Sequence, residues 1–205
     1  LPVSLQPSDE FAAGAFQLLF EGLPLEDAVL AEADAEQCRF VRASFCRSSF
    51  VATTFVDCEI VQSDFANAAF DDSGFRRVLF DASRLTGLTF IDGMLRDVVF
   101  RSSKMDLVNF RASTFKDVHF AECDLTQADF SGADLRGATF TDCRLLAAQF
   151  SHAVLTGTRF ARCDLSGVGG ISSFSGARLA AADLVSVTSL MAAALGIELL
   201  EDGEL

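Results

Sequence analysis

The side chains able to do chemistry in this 205-residue chain recur at fixed intervals. Cys38 and Cys58 stand 20 residues apart, and Cys123, Cys143 and Cys163 form a second series with that spacing. Side chains stacked in step point in parallel, whereas a disulfide needs converging Cβ vectors. The two series therefore read as small buried hydrophobes, and Cys46 as a free surface thiol. The two histidines, His119 and His152, fall far apart, and no Ser-His-Asp set, zinc spacing or phosphate-binding glycine loop accompanies them. No catalytic residue, metal site or cofactor is expected. The acids are more suggestive. Asp72 with Asp92, Asp97 with Asp117, and Glu122 with Asp142 repeat at 20 residues, and Asp57 belongs to the same set. Arg76, Arg96, Lys116 and Arg136 make a basic column beside Asp57, Asp97 and Asp117. Like charges stacked about 4.8 Å apart repel. The acids are thus either the solvated surface of a mixed-charge body or an acidic surface for a partner.

What positions these residues is an internal repeat. From Phe20 to Leu165, the 30 residues at every fifth position are 18 Phe, nine Leu, Ala35, Ile60 and Met105. The residue two before each is almost always small, as at Ala43, Ser48, Thr53, Ala128 and Ala148, with Leu88 a large exception inside the array. A period of five fits neither a helix nor a simple strand. Each unit needs a turn, two inward residues and three outward ones, and units must stack to bury their faces. Phe and Leu alternate with period ten, as opposite sides of a four-sided prism would require. Four units then make a 20-residue coil, which places each cysteine and acid series directly in line. With 21 Phe and neither Tyr nor Trp, the core has no polar ring to satisfy.

Runs such as Ala128-Asp129-Phe130-Ser131-Gly132 and Ala133-Asp134-Leu135-Arg136-Gly137 resemble the A(D/N)Lxx consensus of pentapeptide-repeat proteins. The resemblance covers about residues 16–185. It implies an all-β fold, a right-handed quadrilateral β-helix of about eight coils, closed by a short C-terminal helix and strand. It divides the chain into an N-terminal segment and cap (1–15), the β-helix (16–185) and a helix-strand tail (186–205). Asp64, Asp124, Asp129, Asp134 and Asp164 are then the consensus residue before Leu or Phe. The Gly169-Gly170 pair marks a bulge, after which the register resumes one residue short at Phe174, Leu179 and Leu184.

In the tail, Ser186 or Thr188 is expected to cap a short helix, Gly196 to end it, and Ile197 and Leu199 to alternate as a strand. The sequence there is similar to the topoisomerase-protecting branch of the family, the Qnr-, MfpA- and AlbG-like resistance proteins. That resemblance implies a homodimer joined through the C-terminal ends, with Leu190, Met191, Leu195, Ile197 and Leu199 as the contact; a monomer with a capping helix is the other reading. It also implies a DNA mimic that binds DNA gyrase or topoisomerase IV and protects it from quinolones or host-made poisons. The acidic surface would be Asp57, Asp72, Asp92, Asp97, Asp117, Glu122 and Asp142. Unlike Qnr proteins, this chain has no room for projecting loops between Phe20 and Leu165. A non-enzymatic scaffold with an unrelated partner is the alternative.

Charge and targeting agree with both readings. The net charge of −13 argues against direct binding to nucleic acid, though not against binding a protein that does so. Residues 1–37 hold eight acids and residues 183–205 hold five, neither with Lys or Arg, so the middle is neutral with 16 of each sign. The N-terminus lacks a basic region and a long apolar run, and Leu184–Ile197 is too short to span a bilayer. A soluble cytoplasmic protein without membrane contact is expected.

Overall fold

A computed structural model describes residues 5–8, 10–11 and 14–197. The chain winds as a right-handed quadrilateral β-helix of about eight coils. All strand pairings are parallel; Gln6–Pro7 pairs with Leu18–Leu19, 12 residues on, and from there the partners lie 20 apart until Phe160 pairs with Leu179 after the register slip. Face 1 is the longest ladder, running from Leu18–Glu21 through Arg39–Val41 and Glu59–Val61 to Arg178–Leu179. Face 2 consists of isolated bridges from Pro24 to Asp164. Face 3 stacks Val29–Ala31, Ser49–Val51, Ala69–Asp71 and Thr89–Phe90. Face 4 stacks Ala15–Phe16, Ala35–Glu36, Thr54–Val56 and Gly74–Arg76. Two longer strands, Met94–Arg101 and Thr114–Ala121, run through the corner from face 4 to face 1.

The inward positions build the core the repeat requires. Every Phe from Phe20 to Phe160 is buried, and successive rings on face 1 lie flat on one another. Phe100, Phe120 and Phe140 are spaced at 5.0 and 4.7 Å, with interplanar angles of 7° and 3°. Rings from the opposite face meet them edge-on, as Phe130 meets Phe120 at 6.1 Å. This is the alternation that Phe and Leu at period ten anticipate. The small inward position does more than save volume. The hydroxyls of Ser63, Ser83 and Ser103 each accept the backbone N–H of the residue 20 earlier, at 3.1 Å. The corners thereby keep their buried donors paired. Each buried thiol in the two series instead donates toward carbonyls at 3.3–3.6 Å. The neighbouring Cys123 thiol and, after it, burial hold Cys143 up at about 12.

The chain leaves the solenoid in an order the sequence does not announce. Gly170 takes φ 74°, close against the backbone of Phe150 and Ser151, and Phe174 then covers Phe150 and Phe160. Leu184, although in register, is exposed, because helix α1 (Ala181–Leu184) has already begun. A 3₁₀ turn (Val185–Val187) leads into helix α2 (Thr188–Ala194), and Val187 fills the end of the core. Neither Ser186 nor Thr188 caps α2. Their hydroxyls donate back to the carbonyls of Asp183 and Leu184, and Val187 stands at the N-cap. Gly196 does end the helix: at φ 72° it lets its own N–H and that of Ile197 close on Ala193 and Ala192. The expected strand through Leu199 lies outside the described residues. No helix among the described residues is long and apolar enough to cross a membrane.

Candidate interaction surface

Each corner of the prism turns through one residue in the left-handed region. Asp57, Asp72, Asp92, Asp97, Asp117, Glu122 and Asp142 all occupy such positions, with φ between 48° and 55°. Gly, Asn and Asp tolerate this conformation best. Backbone geometry is therefore one reason these acids line up, independent of any partner.

The seven acids divide among three corners and differ in what faces them. Asp72 and Asp92 share the corner between faces 3 and 4. Asp57, Asp97 and Asp117 share that between faces 4 and 1, and Glu122 and Asp142 that between faces 1 and 2. Arg77 grips Asp57 through two contacts of 2.5 and 2.6 Å, and Arg162 grips Asp142 at 2.6 and 2.7 Å. Both carboxyls are held below the usual range by these guanidinium hydrogen bonds. Asp97 lies 3.6 Å from Arg96, and Glu122 accepts from the Ser102 hydroxyl at 2.9 Å. Among the described residues, Asp72, Asp92 and Asp117 have no Lys or Arg within 4.0 Å. Asp27 with Arg47 and Asp81 with Arg101 repeat the two-pronged pairing one coil apart. A 20-residue offset between Asp and Arg is the sequence signal that finds these pairs.

The consensus aspartates have a local task. Asp64, Asp124, Asp129, Asp134 and Asp164 each accept the backbone N–H two residues on, at 2.8–3.2 Å, fixing the turn. His119 Nδ1 lies 2.6 Å from Thr139 Oγ1 on face 1, while His152 sits on the corner between faces 3 and 4. Cys46 is half-buried beside Arg47. The described residues hold no cluster of three or more His, Cys, Asp or Glu set around a point.

At the C-terminal end, Leu190 and Met191 pack partly against the molecule's own core. Leu195 and Ile197 face outward, 77% and 54% exposed, and Leu184 and Val185 are exposed as well. Leu199 lies outside the described residues.

A family model described as "Pentapeptide repeat region" matches residues 73–150 and 94–169, and one described as "Pentapeptide repeats (8 copies)" matches 25–60. Together they span well over half the chain. No curated protein matches it by sequence. Among solved structures, a pentapeptide repeat protein from the thylakoid lumen of Arabidopsis thaliana is 23% identical, covering 53% of this chain and 72% of its own, with TM-score 0.43. Full-length QnrB1, a plasmid-mediated fluoroquinolone resistance protein, is 16% identical, covering 89% and 98%, with TM-score 0.37. HetL, involved in heterocyst differentiation regulation in Nostoc sp. strain PCC 7120, is 15% identical, covering 77% and 89%, with TM-score 0.23.

Proposed function

From the premise that this chain belongs to the pentapeptide-repeat family, we propose that it is a binding rod whose partner is a type II topoisomerase, DNA gyrase or topoisomerase IV. Proteins of this family are generally structural or interaction proteins rather than catalysts. The rod would enter the positively charged DNA-binding saddle of the enzyme in the cytoplasm and shield it from quinolone-like or host-made poisons. The observation that carries this reading is the corner carboxylates Asp72, Asp92 and Asp117. They stand exposed without a cation while neighbouring acids on the same rod are neutralised. Glu32 and Glu36, on the first coil, add to the negative end. Two rods would join through Leu195 and Ile197, with Leu190 and Met191 behind them. Replacing Leu195 and Ile197 by Asp should give a folded monomer in sedimentation; a persistent dimer would remove that contact from the proposal.

A second reading, a scaffold for an unrelated protein, is favoured by the neutral body. Duplex DNA carries about one charge per 1.7 Å of axis, whereas residues 38–182 hold 16 acids against 16 bases. Any mimicry therefore rests on the first coil and on corner acids that lack a cation, Asp72, Asp92, Asp117 and Glu122. A gyrase supercoiling assay, with and without a quinolone and across a salt series, tests the proposal. Inhibition or rescue that weakens with salt supports it. No effect at micromolar protein with the fold intact leaves the scaffold.

A further inference from the structure

Face 4 divides into two halves of opposite charge. Its outward column next to the face 1 corner reads Phe16, Glu36, Val56, Arg76, Arg96, Lys116 and Arg136 along successive coils. Asp34 and Glu36 make the N-terminal half acidic. Arg76, Arg96 and Lys116 make the middle basic, stacked at the strand spacing of about 4.8 Å, where like charges disfavour one another. Among the described residues, Arg76 and Lys116 have no carboxylate within 4.0 Å, and Arg96 reaches Asp97 only at 3.6 Å. Arg136 is already held by Asp134. The face also leaves large apolar side chains in water: Phe16 is 51% exposed and Met94 61%. Phe16 borders a shallow groove of about 310 Å³ with Asp34, Glu36, Thr54 and Val56.

We propose that face 4 is a self-docking surface that takes face 4 of a second copy lying antiparallel. A two-fold axis in the contact plane, perpendicular to the rod, reverses the coil order and leaves each column facing itself. The register that sets Glu36 opposite Arg96 also sets Val56 opposite Arg76 and Phe16 opposite Lys116. It opposes no two cations and places the exposed ring under an ammonium group. The same register brings Asp57 opposite Arg77 at one corner. Its one like-charge approach is Glu32 to Asp92, at the other corner. A shift of one coil in the direction of greater overlap would put Arg76 against Arg76, so the charges select the register. An extended polyanion is disfavoured on this strip, because Asp97 and Asp117 stand at the corner beside Arg96 and Lys116. Six coils span about 25–30 Å. A face this narrow falls short of the roughly 800 Å² per partner of a stable interface. The association is therefore weak, salt-sensitive and separate from any pairing through the C-terminal ends.

The test is sedimentation velocity over a concentration series, in a Leu195→Asp, Ile197→Asp background that removes end-to-end contact. The expected result is concentration-dependent self-association that fades between roughly 0.03 M and 0.3 M salt. Glu36→Arg alone and Arg96→Glu alone should each weaken it by about fivefold or more, and the two together should restore it. Both residues are exposed, so unchanged circular dichroism serves as the folding control. Three results would each overturn the proposal: no self-association at low salt, self-association indifferent to either reversal, or failure of the double reversal to restore it.

Discussion

Replacing Phe120 by alanine removes one ring from the middle of the face 1 stack. Phe120 is fully buried, stacked between Phe100 and Phe140, and met edge-on by Phe130. Burying a Phe side chain is worth about 1.5–3 kcal/mol by transfer alone. The two coils that flank the ring are pinned by their own backbone ladders, so the space cannot collapse. The cavity and the lost ring contacts raise the expected cost to about 3–5 kcal/mol. Phe120→Leu should cost only about 1–2 kcal/mol, because Ile60 already fills the same column between Phe40 and Phe80. The rod also dictates how far the damage spreads, since each coil touches only its neighbours. Phe120→Ala with Phe140→Ala should show a coupling of about 0.5–3 kcal/mol, while Phe120→Ala with Phe40→Ala should add within about 0.5 kcal/mol. Urea denaturation followed by far-ultraviolet circular dichroism is the suitable assay, the chain having no Trp or Tyr. A cost below about 1 kcal/mol for Phe120→Ala, or equal costs for Ala and Leu, would refute the reasoning.

Three further outcomes follow from particular residues. A Cβ at Gly170 would fall on the backbone of Phe150 and Ser151, whereas one at Gly137 meets open space, both glycines being left-handed. Gly137→Ala should therefore cost about 1–2 kcal/mol and Gly170→Ala clearly more, read from urea midpoints; equal costs would mean the cap is not held where Gly170 places it. Asp183 is buried in the cap, and its Oδ2 has no hydrogen-bond partner among the described residues. Asp183→Ser should raise the melting temperature, by about 1 kcal/mol of stability, and a fall of that size would reveal an ordered water or partner on the carboxylate. Asp57, Asp81 and Asp134 are each held below the ordinary 3.8 by an arginine, so their folded pKa lies under the unfolded one. Their contribution is present above pH 3.8 and is lost as pH falls through the folded value. Melting temperature should be level from neutral pH down to about 4 and drop below it; a drop centred near neutrality would contradict these pairings.

The repeat made the body legible and left the ends obscure, for a physical reason. Between Phe20 and Leu165 each residue's orientation follows from its place in a five-residue unit, because every coil is packed between two like itself. The cysteine series, the Phe and Leu alternation and the stacked acids could all be placed that way. Leu184 shows where this stops: it keeps the register, but the chain has turned into α1 and the position no longer faces a core. Val187 fills the end instead, and no spacing marks it. Ser186 and Thr188 have capping chemistry, yet the preceding turn is already helical, so their hydroxyls bond backward. The charged surface was half legible. The acid columns could be read, but the arginines one coil above Asp57 and Asp142 emerge only when the 20-residue offset is read for opposite charges. The hydroxyl ladder of Ser63, Ser83 and Ser103 has no sequence signal of its own, because a small inward residue satisfies the volume requirement with or without a hydroxyl.

Competition for the DNA-binding saddle tests the functional account most directly. A fluorescently labelled duplex is bound to DNA gyrase, and the anisotropy is followed as this protein is added at two salt concentrations. The account expects displacement that weakens as salt rises, and weakens further when Asp72, Asp92 and Asp117 are replaced together by Asn. Binding to gyrase without displacement of the duplex, or displacement indifferent to those three replacements, would contradict it.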